Sequence, residues 1–354
     1  MFTKLNSIIL FALVAFWLGR LLYPLYIRFL KKIHAGKTIR EEAVTWEKSV
    51  IFSEMHKHKA WTPTMWWWLL ILIVLIMILL SLLVQKLWWT NNSLLSRQET
   101  YVLLAWFFWM WIIWLIDDYL NIRWYWSKKW LSAIAKLIMM FIFSGLISRW
   151  FYYKLWIDYI NLRPIAGKVH LWILRPILTF IFTIAIVNAI NITDWLDWLA
   201  GGLMWIELLV LSVVTFVNQT YIATTFVVII WAVLASFMFF NIFPAKIFMG
   251  DSGAFAMWGL FAALIYLLNM RTWIIIPFLI LFLPFIVDIT TSFLQIFWKK
   301  VFHKKLFEVA PLHHLFEKKW NHESTIVMKF RMIQALLAAV FVIMMFYQFW
   351  WELI

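Results

Sequence analysis

The sequence predicts an all-α, polytopic membrane protein of about ten transmembrane helices, with residues 1–354 forming a single integral-membrane domain. Of the 354 residues, 65% are hydrophobic and 14% are charged, whereas soluble domains average roughly 45–50% apolar and about 25% charged residues. The mean hydropathy of +0.87 gives the same indication. Because lipid offers no hydrogen-bond partner to the backbone, the spanning segments are expected to be helices rather than open strands.

Apolar stretches that approach the roughly 20 residues needed for a span occur along the whole chain. The first follows Lys4 and could pass for a signal peptide, but Arg20 interrupts it and no small-residue cleavage site follows. We therefore predict that it is the first membrane helix. The predicted spans are residues 5–28, 65–85, 100–116, 132–149, 171–189, 199–217, 221–240, 253–270, 273–297 and 331–350.

The distribution of basic residues predicts the orientation of these spans. If the N-terminus lies outside, the loops after odd-numbered spans are cytoplasmic, and they hold 21 of the 31 Lys and Arg residues. Cytoplasmic loops are enriched in Lys and Arg, so both termini are predicted to lie outside. The basic cytoplasmic loops account for the formal net charge of +14, so this charge does not indicate a nucleic-acid partner. Cysteine is absent, which excludes disulfides and thiolate metal sites.

Five polar segments fall on this predicted cytoplasmic face and indicate a single site there. The first is the basic loop 36–64, in which Lys59 and Thr64 offer hydrogen-bond donors beside the rigid turn at Pro63. By composition alone, this segment is an ordinary solvated loop.

The second segment, Asp117 and Asp118, closes the third predicted span. Adjacent carboxylates at a membrane edge repel each other, so they need a cation or a basic neighbour to remain ionised together. Magnesium with phosphate is the natural partner, because Mg²⁺ prefers hard oxygen ligands and is usually held by one or two carboxylates. The alternative is that the two acids simply cap a helix at the interface.

The densest polar segment is 188–202, which follows an apolar span. Carboxylates at the mouth of a span are costly there and usually have a function. Two amides and two carboxylates lie in this segment, namely Asn188, Asn191, Asp194 and Asp197.

Residues 241–252 begin with Asn241 and end in a tight turn that places Asp251 at the start of the eighth predicted span. A carboxylate there is a suitable metal ligand, and the helix N-terminus behind it favours an anionic group. Phe248 offers a face on which a flat base could stack. Asp251 could equally be an ordinary helix N-cap.

The last inner loop is strongly basic and contains His313 and His314. Paired histidines near lysines suit phosphate oxygens, and zinc fits less well because no further ligand has a suitable spacing. The lysines also suit anionic lipid headgroups.

In the preceding span, Asp288 and Gln295 lie two turns apart on one helix face, which points to the bundle interior. Both a structural and a substrate-binding role remain open for Asp288.

Together these segments predict metal-assisted phosphoryl transfer in which one reactant is a lipid. A transporter with buried carboxylates is the alternative from another class. It would place charges near the middle of several spans, whereas these aspartates lie at span ends.

The same segments resemble, in order and over nearly the full chain, the motifs of the polyprenyl-phosphate N-acetylhexosamine-1-phosphate transferase superfamily. The TPTM stretch is similar to the branch that transfers phospho-MurNAc-pentapeptide from UDP-MurNAc-pentapeptide to undecaprenyl phosphate, giving lipid I and UMP. A related transferase that uses UDP-N-acetylglucosamine or another UDP-amino sugar is the alternative. The matching segments are GKTIRE (36–41), HKHKAWTPTMWW (56–67), IDDYLNI (116–122), NAINITDWLDWLAGG (188–202), FNIFPAKIFMGDSG (240–253) and APLHHLFEKKW (310–320).

The resemblance implies a ten-helix, magnesium-dependent enzyme of the bacterial plasma membrane, with its active site on the cytoplasmic face and a possible homodimer. By motif position, Asp251 would ligate Mg²⁺, and Asp117 and Asp118 would serve the lipid phosphate. The uridine end would be held by Lys59, Asp197, Asn241 and Phe248, and the phosphate or sugar side by His313 and His314. Thr64, Asn188, Asn191 and Asp194 complete the expected binding residues.

Two features depart from the family pattern. Leu315 stands where the family usually has a third histidine. The chain also has 28 Trp and only 9 Gly, whereas glycine averages about 7% of residues. Tryptophan replaces the family's glycine at Trp61, Trp66, Trp67, Trp124, Trp126, Trp130, Trp195, Trp198, Trp258 and Trp320.

Glycine at such positions permits a positive φ or a close approach of substrate, whereas indoles at 195 and 198 would crowd a uridine site. We therefore hypothesise that UGA codons, read as glycine in the source organism, have been written as tryptophan. If the tryptophans are real, the alternative is an inactive membrane protein.

Overall fold

The structure is a computed structural model that describes residues 2–33, 62–88, 93–97, 100–109, 111–112, 133–155, 159–163, 165–171, 174–269, 272–320 and 322–353. Several predicted positions lie outside these residues, namely Lys59, Asp117, Asp118, Trp61, Trp124, Trp126 and Trp130. For Asp251, Trp258 and Trp320 the structure describes the backbone and not the side chain.

Helices dominate the described residues. The N-terminal half contains α1 (Phe2–Lys32), α2 (Trp67–Trp88), α3 (Thr100–Trp109), α4 (Ala133–Leu155) and α5 (Arg175–Thr193). The C-terminal half contains α6 (Leu199–Val217), α7 (Tyr221–Asn241), α8 (Gly250–Asn269), α9 (Ile275–Leu281), α10 (Leu283–Phe302), α11 (Leu312–Trp320) and α12 (Glu323–Leu353).

Each of the ten predicted spans overlaps one of these helices. Six of the described helices are long and apolar enough to cross a membrane, namely α1, α2, α5, α6, α7 and α12. The bent pair α9 and α10 adds a seventh span if it crosses as one unit. The helical, polytopic membrane fold is therefore confirmed, whereas the number of ten spans and the outside location of both termini stay predictions.

A short β-hairpin, which we did not predict from the sequence, lies between α4 and α5. Strand β1 (Tyr159–Asn161) pairs antiparallel with β2 (Lys168–His170), with Ile160 opposite Val169. The connecting turn contains Gly167 at φ 68, a conformation that glycine adopts without a Cβ clash. Three-residue strands carry too little periodicity for the sequence to separate them from a loop.

The predicted ninth span is interrupted rather than continuous. Helices α9 and α10 meet at Phe282 with a bend of 73°. Pro284 lies in the first turn of α10, where its missing N–H and its ring prevent a helix from running through from α9. From α12, Gln334 Nε2 donates to the Leu281 carbonyl oxygen at 2.9 Å, which satisfies a backbone group freed by the break.

Helix packing brings the predicted motifs to one place. Helix α6 packs against both α7 and α12, and α5 packs against α4, α8 and α10. The C-terminus of α5, the N-terminus of α6 and the N-terminus of α12 therefore lie near one another. The loop that follows α7 lies there too. A short connection links α6 to α7 and the two helices run antiparallel, so the C-terminus of α7 lies near the N-terminus of α6.

Candidate active site

The turn between α5 and α6, residues 194–198, is the centre of the candidate site. Asp197 in this turn is only 4% exposed. Its Oδ2 accepts a hydrogen bond from the Ala245 backbone N–H at 3.0 Å, and its own backbone N–H donates to the Glu323 carboxylate. One residue thus joins the turn to the loop after α7 and to the start of α12.

Asn241, the last residue of α7, makes a second connection to the same turn. Its Oδ1 accepts from the Trp198 backbone N–H at 3.0 Å, and its Nδ2 donates to the Ile247 carbonyl oxygen at 2.9 Å. Because both ends of the amide are used and the side chain is buried, Asn241 fixes the shape of the 242–249 loop against the turn.

Phe248 lies in that loop and brings the first predicted inner segment to it. The Phe248 backbone N–H donates to the Pro63 carbonyl oxygen at 2.8 Å. Thr64 follows directly and is half-buried, as is the Phe248 side chain. The structure therefore brings the segment that carries Thr64 against the segment that carries Phe248, although 184 residues separate the two residues in the chain.

Asp251 is the second residue of α8 and follows Phe248 closely. The backbone thus confirms its position in the first turn of a helix. Among the described side chains, no group of three His, Cys, Asp or Glu residues is placed to hold a metal ion. Since Asp117, Asp118 and the Asp251 carboxylate are outside that set, magnesium ligation stays a prediction.

His313 and His314 occupy the first turn of α11, and their rings lie 4.3 Å apart between centroids. His313 is completely buried, and its Nδ1 lies 2.8 Å from Asp288 Oδ2. His314 Nδ1 lies 2.9 Å from Glu317 Oε2, and the His314 ring contacts Trp195 edge to face at 6.1 Å. The histidine pair therefore stands beside the 194–198 turn.

The remaining predicted residues are Asn188 and Asn191, on the last two turns of α5, and Asp194, its C-cap. Asn188 is exposed and donates from Nδ2 to the Ile184 carbonyl oxygen at 2.9 Å on its own helix. Asn191 and Asp194 are half-buried, closer to the turn. This hydrogen bond stays within α5 and does not join Asn188 to the other candidate residues.

An ion pair joins the basic loop between α10 and α11 to α11 itself. Lys318 forms an ion pair with Glu308, and this hydrogen bond lowers the pKa of the Glu308 carboxyl. Lys304 and Lys305 are exposed. These two lysines are therefore better placed than Lys318 to meet lipid headgroups.

Sequence reasoning missed Glu323 and Glu317 entirely. Glu323 opens α12 and resembles an ordinary acidic residue in a first helical turn, so no local signal points to its partner Asp197. Glu317 follows His314 by three residues, and this spacing on a helix is the signal that could have identified the pair.

Trp198 sits in a conformation that tryptophan rarely adopts. It is the N-cap of α6 with φ 66 and ψ 5, in the left-handed region. Its indole Nε1 lies 2.9 Å from Met238 Sδ, and the Arg331 guanidinium lies 3.7 Å above its ring. The indole thus fills space directly beside Asn241 and the turn.

Comparison with known proteins agrees with this architecture. Residues 100–270 match the model of glycosyl transferase family 4. The chain is 31% identical over 322 residues to a phospho-N-acetylmuramoyl-pentapeptide-transferase of Petrotoga mobilis, a match that covers 89% of this chain and 91% of that protein. It is 29% identical over 341 residues to the protein of that name from Clostridium acetobutylicum, covering 95% and 98% of the two chains.

The described helices are those of an integral-membrane protein, and its central helices match the glycosyl transferase family 4 model. Identity extends well beyond that segment, over nearly the full length of both chains. The chain belongs to the phospho-N-acetylmuramoyl-pentapeptide-transferase family.

Proposed function

We propose that this protein transfers phospho-MurNAc-pentapeptide from UDP-MurNAc-pentapeptide to undecaprenyl phosphate, giving lipid I and UMP. The observation that carries the proposal is the convergence of four motif segments, 62–65, 194–198, 241–249 and 313–323, at one end of the helix bundle. The names of the relatives, which align over almost their whole length, support the same reaction.

In the proposed reaction, an oxygen of the lipid phosphate forms a bond to the sugar-bearing phosphorus of the donor. The bond from that phosphorus to the bridging oxygen breaks, and UMP leaves with the electron pair. The protein mainly positions the two reactants, which is the usual protein contribution to phosphoryl transfer.

The donor nucleotide would lie across the 194–198 turn and the 242–249 loop. Phe248 offers a face for the uracil ring, and Asn241 and Asp197 hold the two loops at a fixed separation. The neighbouring His313 and His314 would contact the phosphate or sugar side of the donor. Lys59 would add a positive charge from the first inner loop.

Magnesium would be held by Asp251, with Asp117 and Asp118 on the side of the lipid phosphate. This donor set fits the ion, because carboxylate oxygens are the protein ligands that Mg²⁺ prefers. When bound, the ion would neutralise charge on the phosphates. Asp251→Asn is expected to abolish transfer while the fold is retained, and near-normal turnover in this variant would remove Asp251 from the metal site.

The membrane arrangement belongs to the same proposal. Ten spans with both termini outside would place every motif segment on the cytoplasmic side, where soluble UDP-linked donors are available. The basic loops 28–64 and 298–331 support this orientation.

The direct test is transfer in membranes that contain the full chain and undecaprenyl phosphate. UDP-MurNAc-pentapeptide should give lipid I and equimolar UMP, and UDP-N-acetylglucosamine should give no lipid product. Product from UDP-N-acetylglucosamine alone would replace the proposal with the related transferase activity. Both the written chain and a version with glycine at 195 and 198 should be assayed.

A further inference from the structure

Asp288 holds residue His313 at two points. The Asp288 Oδ2 atom lies 2.8 Å from His313 Nδ1, and Oδ1 lies 3.3 Å from the His313 backbone N–H. Both side chains are completely buried. A single carboxylate from α10 therefore fixes both the start of α11 and the plane of the imidazole ring.

This contact selects one tautomer of the ring. A carboxylate only accepts hydrogen bonds, so the His313 Nδ1 atom must carry a proton. The opposite ring atom, Nε2, is buried and has no hydrogen-bond partner among the described residues. A buried polar atom without a partner is costly, so the fold keeps Nε2 for a group that the described chain does not supply.

Thr193 connects the same carboxylate to the candidate nucleotide turn. Its hydroxyl lies 3.0 Å from Asp288 Oδ2 and 2.9 Å from the Ala189 carbonyl oxygen. Thr193 is the last residue of α5 and directly precedes the 194–198 turn. Asp288 thus ties the turn to the histidine pair across three helices.

We propose that Asp288 is a positioning residue that holds His313 with Nδ1 protonated, so that the unprotonated Nε2 atom accepts a hydrogen bond from a hydroxyl group on the sugar side of the UDP-linked donor. Asp288 does not touch substrate itself. This inference rests on the proposed transferase function and deepens it, since it assigns a role to a carboxylate that the sequence left undecided.

The test is a double-mutant cycle in the full-length, membrane-embedded protein. In Asp288→Asn, a single amide oxygen replaces the carboxylate that accepts from the Thr193 hydroxyl, the His313 Nδ1–H and the His313 backbone N–H. The amide NH₂ group would instead favour a His313 ring with its proton on Nε2. We expect kcat to fall about 10- to 100-fold, the range seen when the partner that orients a histidine is removed, with little change in KM. His313→Ala should cause a similar loss, and adding Asp288→Asn to it should cost less than about twofold more.

Gln295 provides a matched control on the same face of α10. Its side chain bonds to Phe307 through both Nε2 and Oε1, at 3.0 and 2.8 Å, and so holds the same connecting loop without contacting His313. Gln295→Ala should change kcat less than about threefold. Asp288→Glu, which keeps the carboxylate, should recover part of the activity lost in Asp288→Asn. Additive losses in the double mutant, or equal losses in Gln295→Ala, would overturn the inference.

Nitrogen-15 NMR of labelled histidine separates this inference from the proposed function. The His313 Nδ1 atom should carry the proton in the wild-type protein and lose it in Asp288→Asn. If the wild-type chain fails to make lipid I, the proposed function is contradicted, and the ring tautomer still decides the inference. An Nε2-protonated ring in the wild type would refute it.

A second inference rests on the tryptophans. Buried indole N–H groups normally find a partner, yet Trp66, Trp67, Trp205 and Trp231 have none among the described residues. Trp198 adds a left-handed backbone, at φ 66, that glycine adopts freely. Four buried indoles thus leave an N–H group without a partner among the described residues, and Trp198 adopts a backbone conformation that suits glycine better.

We infer that position 198 and the buried positions 66 and 67 are glycine in the protein that the cell makes. Glycine at 198 would vacate the space between Met238 and Arg331 beside the nucleotide turn. Peptide mass spectrometry of the native protein and the codons of its gene test this directly. Glycine masses with UGA codons are the expected result, and indole-containing peptides with UGG codons would overturn it.

Discussion

The backbone N–H of Asp197 donates to the carboxylate of Glu323, which lies 126 residues later in the chain. Both residues are buried. Through this contact, the start of the last helix supports the turn that carries the candidate nucleotide-binding carboxylate. A defect at Glu323 should therefore appear as a defect in donor binding.

Replacing Glu323 by Ala is expected to lower the free energy of unfolding by about 2 kcal/mol, since hydrogen bonds to charged groups contribute about 1.5–3 kcal/mol. It should also raise KM for the UDP-linked donor, because the turn loses its support. Chemical unfolding in detergent and steady-state kinetics measure the two effects. Ser324→Ala, at an exposed neighbouring position, is the control. Equal effects in both variants would contradict the assigned contact.

Asn241→Asp should destabilise the site although it changes only one atom. The new carboxylate still accepts from the Trp198 N–H, but it faces the Ile247 carbonyl oxygen, to which Asn241 donates at 2.9 Å. Leaving a buried acceptor without a donor costs about 1–3 kcal/mol. Thermal unfolding should show this loss. Asn188→Asp, at an exposed position, should shift stability by no more than about 0.5 kcal/mol, and a comparable loss there would refute the argument.

At Trp198 and at Trp205, the order of stability of the glycine and alanine variants should be opposite. At position 198, with φ 66, the glycine variant should be more stable than the alanine variant by about 1 kcal/mol, because a Cβ is disfavoured in the left-handed region. At Trp205, inside α6, glycine should be less stable than alanine by about 1 kcal/mol. Unfolding of the four variants in detergent measures the two differences. The same sign at both positions would show that backbone conformation at 198 carries no penalty.

The absence of cysteine permits a direct test of orientation. Ile165, at 81% exposure in the turn of the β-hairpin, and Lys304, exposed in the basic loop, should face opposite sides of the membrane. A membrane-impermeant thiol reagent should label Ile165→Cys in intact cells, and Lys304→Cys only after permeabilisation. Labelling of both in intact cells would reject the proposed topology.

Much of the architecture follows from local sequence. The span predicted at 199–217 coincides with α6, Leu199–Val217, because a continuous apolar run forces the backbone to satisfy its hydrogen bonds within one helix. Although Pro284 is a local signal for a helix break, hydropathy could not place that break at Phe282. Apolar residues continue through it, and only the packing of α12, with Gln334 at the Leu281 carbonyl, makes the interruption tolerable.

The sequence by itself determined the class of protein, the approximate helices and the segments that form the candidate site, since hydropathy and motif spacing are properties of neighbouring residues. Only the tertiary structure decided which side chains meet. Asp288 was visible as a carboxylate within a span, but its partner His313 lies 25 residues away on another helix, and Glu323 gave no signal at all. Such pairings depend on how helices pack, because a buried carboxylate takes whichever donors the fold brings within about 3 Å.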